Sequence, residues 1–365
     1  TPPPEPEPPV VTPHNAVLAG VRPGPAVASL PMTPAGAAEA LRAFRISCSS
    51  LQRRTDASGL TRGSDWAPAC AAAPAWPDAN AIAFFTTWFE TAAVTGEAHA
   101  TGYYEPQIRG SRTRQPGYEV PIYRTPPDLL TVNPLTGEKG RGRLNENGEY
   151  VLYYERAEIE DGALAGKGLE IAWAADPIEL FFLHIQGSGR VLIPDGNVIR
   201  IGYDNQNGRE YVAIGRIMRE RGILETGGTS MQHIVAWLRA HPEEGREIMR
   251  ENKSYIFFRE LIGPGPLGAL GLPVTPRATV AADPNFVPLG APVFLQLDRP
   301  EANGLWVAQD TGGAIKGANR FDTFWGAGAE AERIAGGMSA RGTAYVLVPK
   351  GTVARVLGDA PAPQS

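Results

Sequence analysis

Residues 305–317 read Leu305-Trp306-Val307-Ala308-Gln309-Asp310-Thr311-Gly312-Gly313-Ala314-Ile315-Lys316-Gly317, followed by Arg320-Phe321-Asp322 and by Trp325-Gly326. The apolar run before Asp310 reads as a β-strand. The paired glycines after it end that strand in a turn where backbone can approach a ligand closely. Two acids, Asp310 and Asp322, therefore flank a glycine-rich turn. Crowded like charges raise the pKa of one partner, while Lys316 offers a hydrogen-bond donor and Trp325 a ring on which a sugar can stack. The plainer reading of the same spacing is an aspartate pair that caps turns in an ordinary loop.

Outward from this stretch the punctuation stays that of short strands. Residues 255–258, 292–297, 305–309 and 344–348 read as strands of one barrel, with a Gly/Pro loop over 263–271. Upstream, 118–123, 150–154, 179–185, 190–193 and 198–201 read as strands of a smaller sheet or barrel, with Asp195-Gly196 as a hairpin turn. Helical spacing returns over 207–221 and over 231–250, the latter split at Pro242. Near the start, Thr33 caps and Pro34 opens a helix with Ala37, Leu41, Phe44 and Cys48 on its apolar face. A second helix is expected over 78–93, burying Ile82, Phe84, Phe85, Trp88 and Phe89. The fold class is mainly β with accessory helices, without the strand-helix alternation of a doubly wound sheet.

A chain of 365 residues exceeds what one core comfortably fills, so two domains are expected. Its 42 Gly and 34 Pro, with 20% charged residues, exclude long bundles and coiled coils. No run approaches the roughly 20 apolar residues of a membrane helix. With 34 Lys+Arg against 39 Asp+Glu, no basic surface for nucleic acid is implied. The five histidines form no H-x-x-x-H pair and the two cysteines no C-x-x-C, so neither a metal site nor a cofactor is expected. Asp310-Thr311-Gly312 resembles an aspartic-protease motif, but the shared-proton dyad needs a second copy, and none is present. Gly187-Ser188-Gly189 is not a G-x-S-x-G elbow. Cys48 and Cys70 fit either one disulfide or two buried thiols. The Pro-rich 1–14 reads as a flexible arm, and a start at Thr1 is consistent with removal of a signal peptide.

Five strings, in order, resemble the membrane-bound lytic transglycosylase A family, murein-degrading enzymes whose 3D domain is named for three aspartates. They are Thr101-Gly102-Tyr103-Tyr104-Glu105-Pro106; Val120-Pro121-Ile122-Tyr123 with Pro127-Asp128-Leu129; His184-Ile185-Gln186-Gly187-Ser188-Gly189; Asn252-Lys253-Ser254-Tyr255-Ile256-Phe257-Phe258; and Asp283, Asp310 and Asp322 at the positions of the three aspartates. The resemblance spans about 101–350. It implies a double-psi β-barrel domain with N-terminal helices from 15–107 and 254–365, a smaller β-barrel domain inserted over 108–253, and a substrate groove between them.

The resemblance further implies cleavage of the β-1,4 bond between N-acetylmuramic acid and N-acetylglucosamine in peptidoglycan, giving 1,6-anhydromuramoyl ends. Asp322 matches the catalytic aspartate, with Asp310 assisting. Thr101, Tyr103, Tyr104, Gln186, Gly187, Ser188, Asp283, Gly312, Lys316 and Trp325 are expected to bind substrate, although strand alternation can turn Tyr104 inward. It favours a Cys48–Cys70 disulfide, a periplasmic, outer-membrane-associated location, a lipid anchor outside these residues, and cell-wall synthesis or remodelling proteins as partners. Two rival readings are a two-carboxylate glycoside hydrolase using Asp310 as nucleophile or base, and a wall-binding module without activity.

Overall fold

A computed structural model describes residues 12–224, 230–263 and 265–359. All but the last three residues of the arm expected over 1–14 lie outside them. The chain forms two compact units, Thr1–Tyr104 with Pro264–Ser365, and Glu105–Gly263.

The first unit is built on a closed six-stranded barrel. Its strands, in ring order, are Ala98–Glu105, Ser339–Pro349, Pro292–Leu297, Gly304–Asp310, Thr279–Ala282 and Arg320–Ala327, the last pairing back to the first. Closure pairs each of these six strands on both sides, which is how a chain of short strands avoids edge pairing. Ser339–Pro349 is long enough to serve three neighbours: Ser339 lies opposite Thr101, Val346 opposite Val293, and Leu347 opposite Thr91 of the flanking strand Phe89–Val94. Thr279–Ala282 runs parallel to Gly304–Asp310 and antiparallel to Arg320–Ala327. A parallel pair demands a long crossover, and the chain meets it with the Pro292–Leu297 strand. Val280, Phe294, Val307 and Phe321 fill the core.

Helix Pro34–Arg53 packs on this core. Thr33 caps it, its side chain accepting from the Gly36 amide, and Pro34 occupies the first turn, where its missing N–H costs nothing. Fully buried Gln309 ties the helix to the barrel: its Nε2 donates to Ala43 O (2.8 Å) and Ser47 Oγ (2.9 Å), and its Oε1 accepts from Thr279 Oγ1 (2.6 Å). Cys48 and Cys70 form a disulfide linking this helix to helix Ala67–Ala72. The helix expected over 78–93 is shorter, Ala81–Trp88, because Phe89–Val94 joins the sheet as a strand. Apolar residues continue across the junction at Trp88-Phe89 with no change of period to mark that switch.

The second unit carries a six-stranded sheet in the order Ile256–Glu260, Val198–Gln206, Ser188–Leu192, Gln107–Ser111, Glu170–Ala174 and Val120–Tyr123, and a separate three-stranded sheet. Residues 179–185, expected as a strand, belong to helix Pro177–Gln186. Asp176 caps it, Pro177 opens it and Gly187 ends it at φ 80°, so the stop and start signals outweigh the β-rich composition. The helical stretch 207–221 contracts to Ile214–Glu220, while Met231–Ala240 and Pro242–Glu251 divide at Pro242.

Candidate active site

Asp310 and Asp322 reach the same patch of barrel wall through one small residue. Ala281 is the pairing partner of Asp322 on one side and of Asp310 on the other. Paired residues project to the same face, so the two carboxyl groups stand two strand spacings apart, about 10 Å at the backbone. Arg320–Ala327, to which the sequence reading assigned no element, is the strand that carries Asp322.

Asp322 is partly buried. Its Oδ1 accepts from Thr101 Oγ1 at 2.7 Å, and Thr101 Oγ1 in turn accepts from Arg320 Nη2 at 3.0 Å. Thr101 is itself pinned, since its carbonyl accepts from Thr323 Oγ1, which accepts from Trp325 Nε1. Oδ2 of Asp322 has no hydrogen-bond partner among the described residues. Burial raises the Asp322 pKa above the ordinary aspartate value and the Asp310 charge adds to the rise, outweighing the Thr101 hydrogen bond and the Arg320 charge.

Asp310 is bonded through both oxygens. Oδ2 accepts from Tyr103 Oη at 2.9 Å, and Oδ1 from the amides of Ala269 and Thr311, each at 2.9 Å. Burial, with the Asp310 charge next, drives the Tyr103 hydroxyl far above its usual pKa, so it stays a donor. A carboxylate committed to three donors is suited to fixing position and charge, and poorly suited to nucleophilic attack.

Two expected substrate residues take structural roles instead. Asp283 is 4% exposed, and its oxygens accept from the Asn285 amide, Asn285 Nδ2 and the Gly317 amide. It clamps the loop carrying Gly312 and Lys316 and has no surface for a sugar. Trp325, also 4% exposed, packs edge-on to Trp306 at 5.6 Å with Arg277 across its ring at 5.4 Å. A ring so covered cannot stack on a pyranose. Tyr103 and Tyr104 are half-buried, Gly312 is partly exposed and Lys316 is exposed, all in the first unit. Gln186 and Ser188 are exposed in the second unit, on either side of the helix-ending Gly187. Arg320 and Thr323 escaped the sequence reading. Strand alternation puts Arg320 and Asp322 on one face, a signal available only once 320–327 is read as a strand.

Fold and site together define a β-barrel protein that carries a partly buried aspartate of raised pKa, Asp322, and a second aspartate, Asp310, on the same face of its wall. Family models match the chain twice, as the MltA specific insert domain over residues 99–259 and as the 3D domain over residues 278–348. Membrane-bound lytic murein transglycosylase A of Escherichia coli K12 is 35% identical over 263 residues, covering 69% of this chain and 66% of that protein. Among solved structures, MltA from Neisseria gonorrhoeae superposes with a TM-score of 0.72 at 38% identity, over 91% of this chain and 92% of that one. Escherichia coli MltA with bound chitohexaose superposes at 0.59 and 28% identity, over 88% and 91%. The chain belongs to the membrane-bound lytic murein transglycosylase A family.

Proposed function

We propose that this chain is a lytic transglycosylase that cleaves the bond between N-acetylmuramic acid and N-acetylglucosamine in peptidoglycan, forming a 1,6-anhydromuramoyl end. The observation that carries the reading is Asp322, a partly buried carboxyl of raised pKa with one oxygen held by Thr101 and the other unbonded. Oδ2–H delivers its proton to the glycosidic oxygen as the bond from that oxygen to C1 breaks. The carboxylate so formed is met by the Thr101 hydroxyl, which Arg320 polarises. It then takes the proton of the muramoyl C6 hydroxyl as that oxygen attacks C1 of the same sugar. No water is consumed and Asp322 ends as it began. A tethered nucleophile makes a second carboxylate unnecessary, since oriented intramolecular attack reaches effective molarities of about 10⁵ M or more.

The hydrogen bonds that tie up Asp310 weigh against its acting as the nucleophile of a two-carboxylate hydrolase. The chitohexaose bound by the Escherichia coli relative supports a β-1,4-linked N-acetylhexosamine strand as ligand. In this reading Tyr103, Tyr104, Gly312 and Lys316 are glycan-binding residues of the barrel domain, with Thr101 acting through Asp322, and Gln186, Gly187 and Ser188 are glycan-binding residues of the inserted domain. The relatives' name supports a cell-envelope location, and we place the protein in the periplasm at the outer membrane. Among the described residues no helix is long and apolar enough to cross a membrane. Digestion of purified sacculi followed by mass analysis of released muropeptides tests the proposal: anhydro ends support it, and reducing ends alone refute it.

A further inference from the structure

The second unit contains a cleft of about 560 Å³, lined entirely by its own residues and including neither Asp310 nor Asp322. That volume lies in the range of small-molecule sites, roughly 300–1,000 Å³. Several polar groups around it make no hydrogen bond among the described residues. Tyr123 and Tyr255 are 3% and 4% exposed and line the cleft, and their hydroxyls, which make no hydrogen bond among the described residues, are not sealed from solvent. His184 is also buried. Its Nδ1 lies 3.1 Å from Arg156 Nη1, which can only donate, so Nδ1 accepts and Nε2 carries the ring proton. Nε2 has no partner, and burial, with the Arg156 charge adding, keeps the ring neutral.

Charge in the cleft is also unevenly settled. Arg114 pairs with Glu119, Arg246 with Asp161, and Glu160 with both Arg156 and Arg250. Arg156 spends further N–H groups on the carbonyls of Asn252 and Ser254. Glu170, directly across the strand pair from Tyr123, has neither an ion pair nor a side-chain hydrogen bond among the described residues. Its charge, after burial, helps push the Tyr123 hydroxyl up to about 12. Ile178, Leu180, Leu238 and Met249 supply aliphatic wall. The complementary ligand has a cation for Glu170, carbonyl acceptors for the two tyrosines, and an aliphatic body. A neutral glycan lacks the cation, and a purely anionic ligand meets Glu170 as a like charge.

We propose that this cleft binds a short peptide carrying a free ammonium group, with the ammonium on Glu170 and peptide carbonyls accepting from Tyr123 and Tyr255. The choice of peptide rests on the peptidoglycan reading above: stem peptides on muramic acid are short and contain a diamino acid whose side chain offers a free ammonium group.

The test uses the whole chain with Asp322→Asn, titrated calorimetrically with N-acetyl-L-alanyl-γ-D-glutamyl-meso-diaminopimelate. Saturable binding is expected, weakened tenfold or more in Glu170→Gln and in Tyr255→Phe proteins of unchanged circular dichroism. Acetylating the free amine of the diamino acid should cost a similar factor. No saturation by about 10 mM peptide, equal binding by the acetylated peptide, or undiminished binding in Glu170→Gln would overturn the proposal. So would chitohexaose binding that Glu170→Gln weakens as strongly, which would assign the cleft to glycan. A wild-type protein that releases no anhydromuropeptide would sink the transglycosylase reading and leave the titration result standing.

Discussion

Opposed influences meet on the Asp322 carboxyl: burial and Asp310 favour the proton, Thr101 and Arg320 the anion. Thr101→Val and Arg320→Gln each remove a group that stabilises the carboxylate. The limb of kcat against pH on which Asp322 loses its proton should therefore move to higher pH. Asp310→Asn removes a neighbouring charge and should move it lower. Shifts of all three in one direction would assign that limb to another group. Asp322→Asn keeps the side chain's size and loses the transferable proton, so turnover on sacculi should fall by at least about 10²–10⁴-fold with the fold intact; near-normal turnover would move the role elsewhere. Stability carries the same sign. Because the folded pKa is raised, Asp322 contributes stability when protonated, and that contribution is lost as pH rises from the unfolded pKa through the folded one. The Tm of Asp322→Asn relative to wild type should accordingly be higher at about pH 7 than at about pH 3.

Among the elements, helix Pro34–Arg53 shows how the site's scaffold is held. Gln309 precedes Asp310 on its strand, and its amide is the buried link to Ala43 and Ser47. Gln309→Leu would leave the Thr279 hydroxyl without an acceptor, at a cost of about 1–3 kcal/mol, and would take one donor each from the Ala43 carbonyl and the Ser47 hydroxyl, which remain bonded to each other. Denaturant unfolding should show a loss of that order or more. Thr33→Ala, which removes only the cap, should cost about 1 kcal/mol; equal losses would show that the buried network adds nothing to the helix's attachment. The helix start was legible because Thr33-Pro34 is a local signal. Helix Pro177–Gln186 was misread although Asp176-Pro177 and Gly187 bracket it, because its apolar run satisfies strand and helix templates alike. Thr279–Ala282 and Arg320–Ala327 are strands because barrel neighbours pair with them on both sides, and no pattern of their own announces it.

At the scale of the whole molecule, the disulfide joins residues 22 apart in the first unit. By the chain-entropy estimate a loop of that length is worth roughly 3 kcal/mol. Cys48→Ser/Cys70→Ser should lower the unfolding midpoint by that order and leave turnover at a temperature well below Tm unchanged, since neither sulfur has a chemical task. A large loss of turnover in the folded double variant would give the pair a part in the site. The two units bury separate cores, Phe294 and Val307 in the first, Ile108 and Ile201 in the second, so unfolding of the whole chain need not be a single transition.

The sequence alone determined the mainly β class, the family and the pair Asp310 and Asp322, because glycine turns, apolar strands and ordered motifs are local or nearly local features. Tertiary structure decided the rest. Asp283 and Trp325 carry the right chemistry for a sugar site, and only their burial shows that one clamps a loop and the other fills a core. Ala281 brings the two aspartates to one face through register between strands far apart in the chain. Thr101, more than 200 residues away in sequence, holds Asp322 Oδ1 and accepts from Arg320. Burial, register and relayed hydrogen bonds depend on which segments meet, and no window of sequence contains that information.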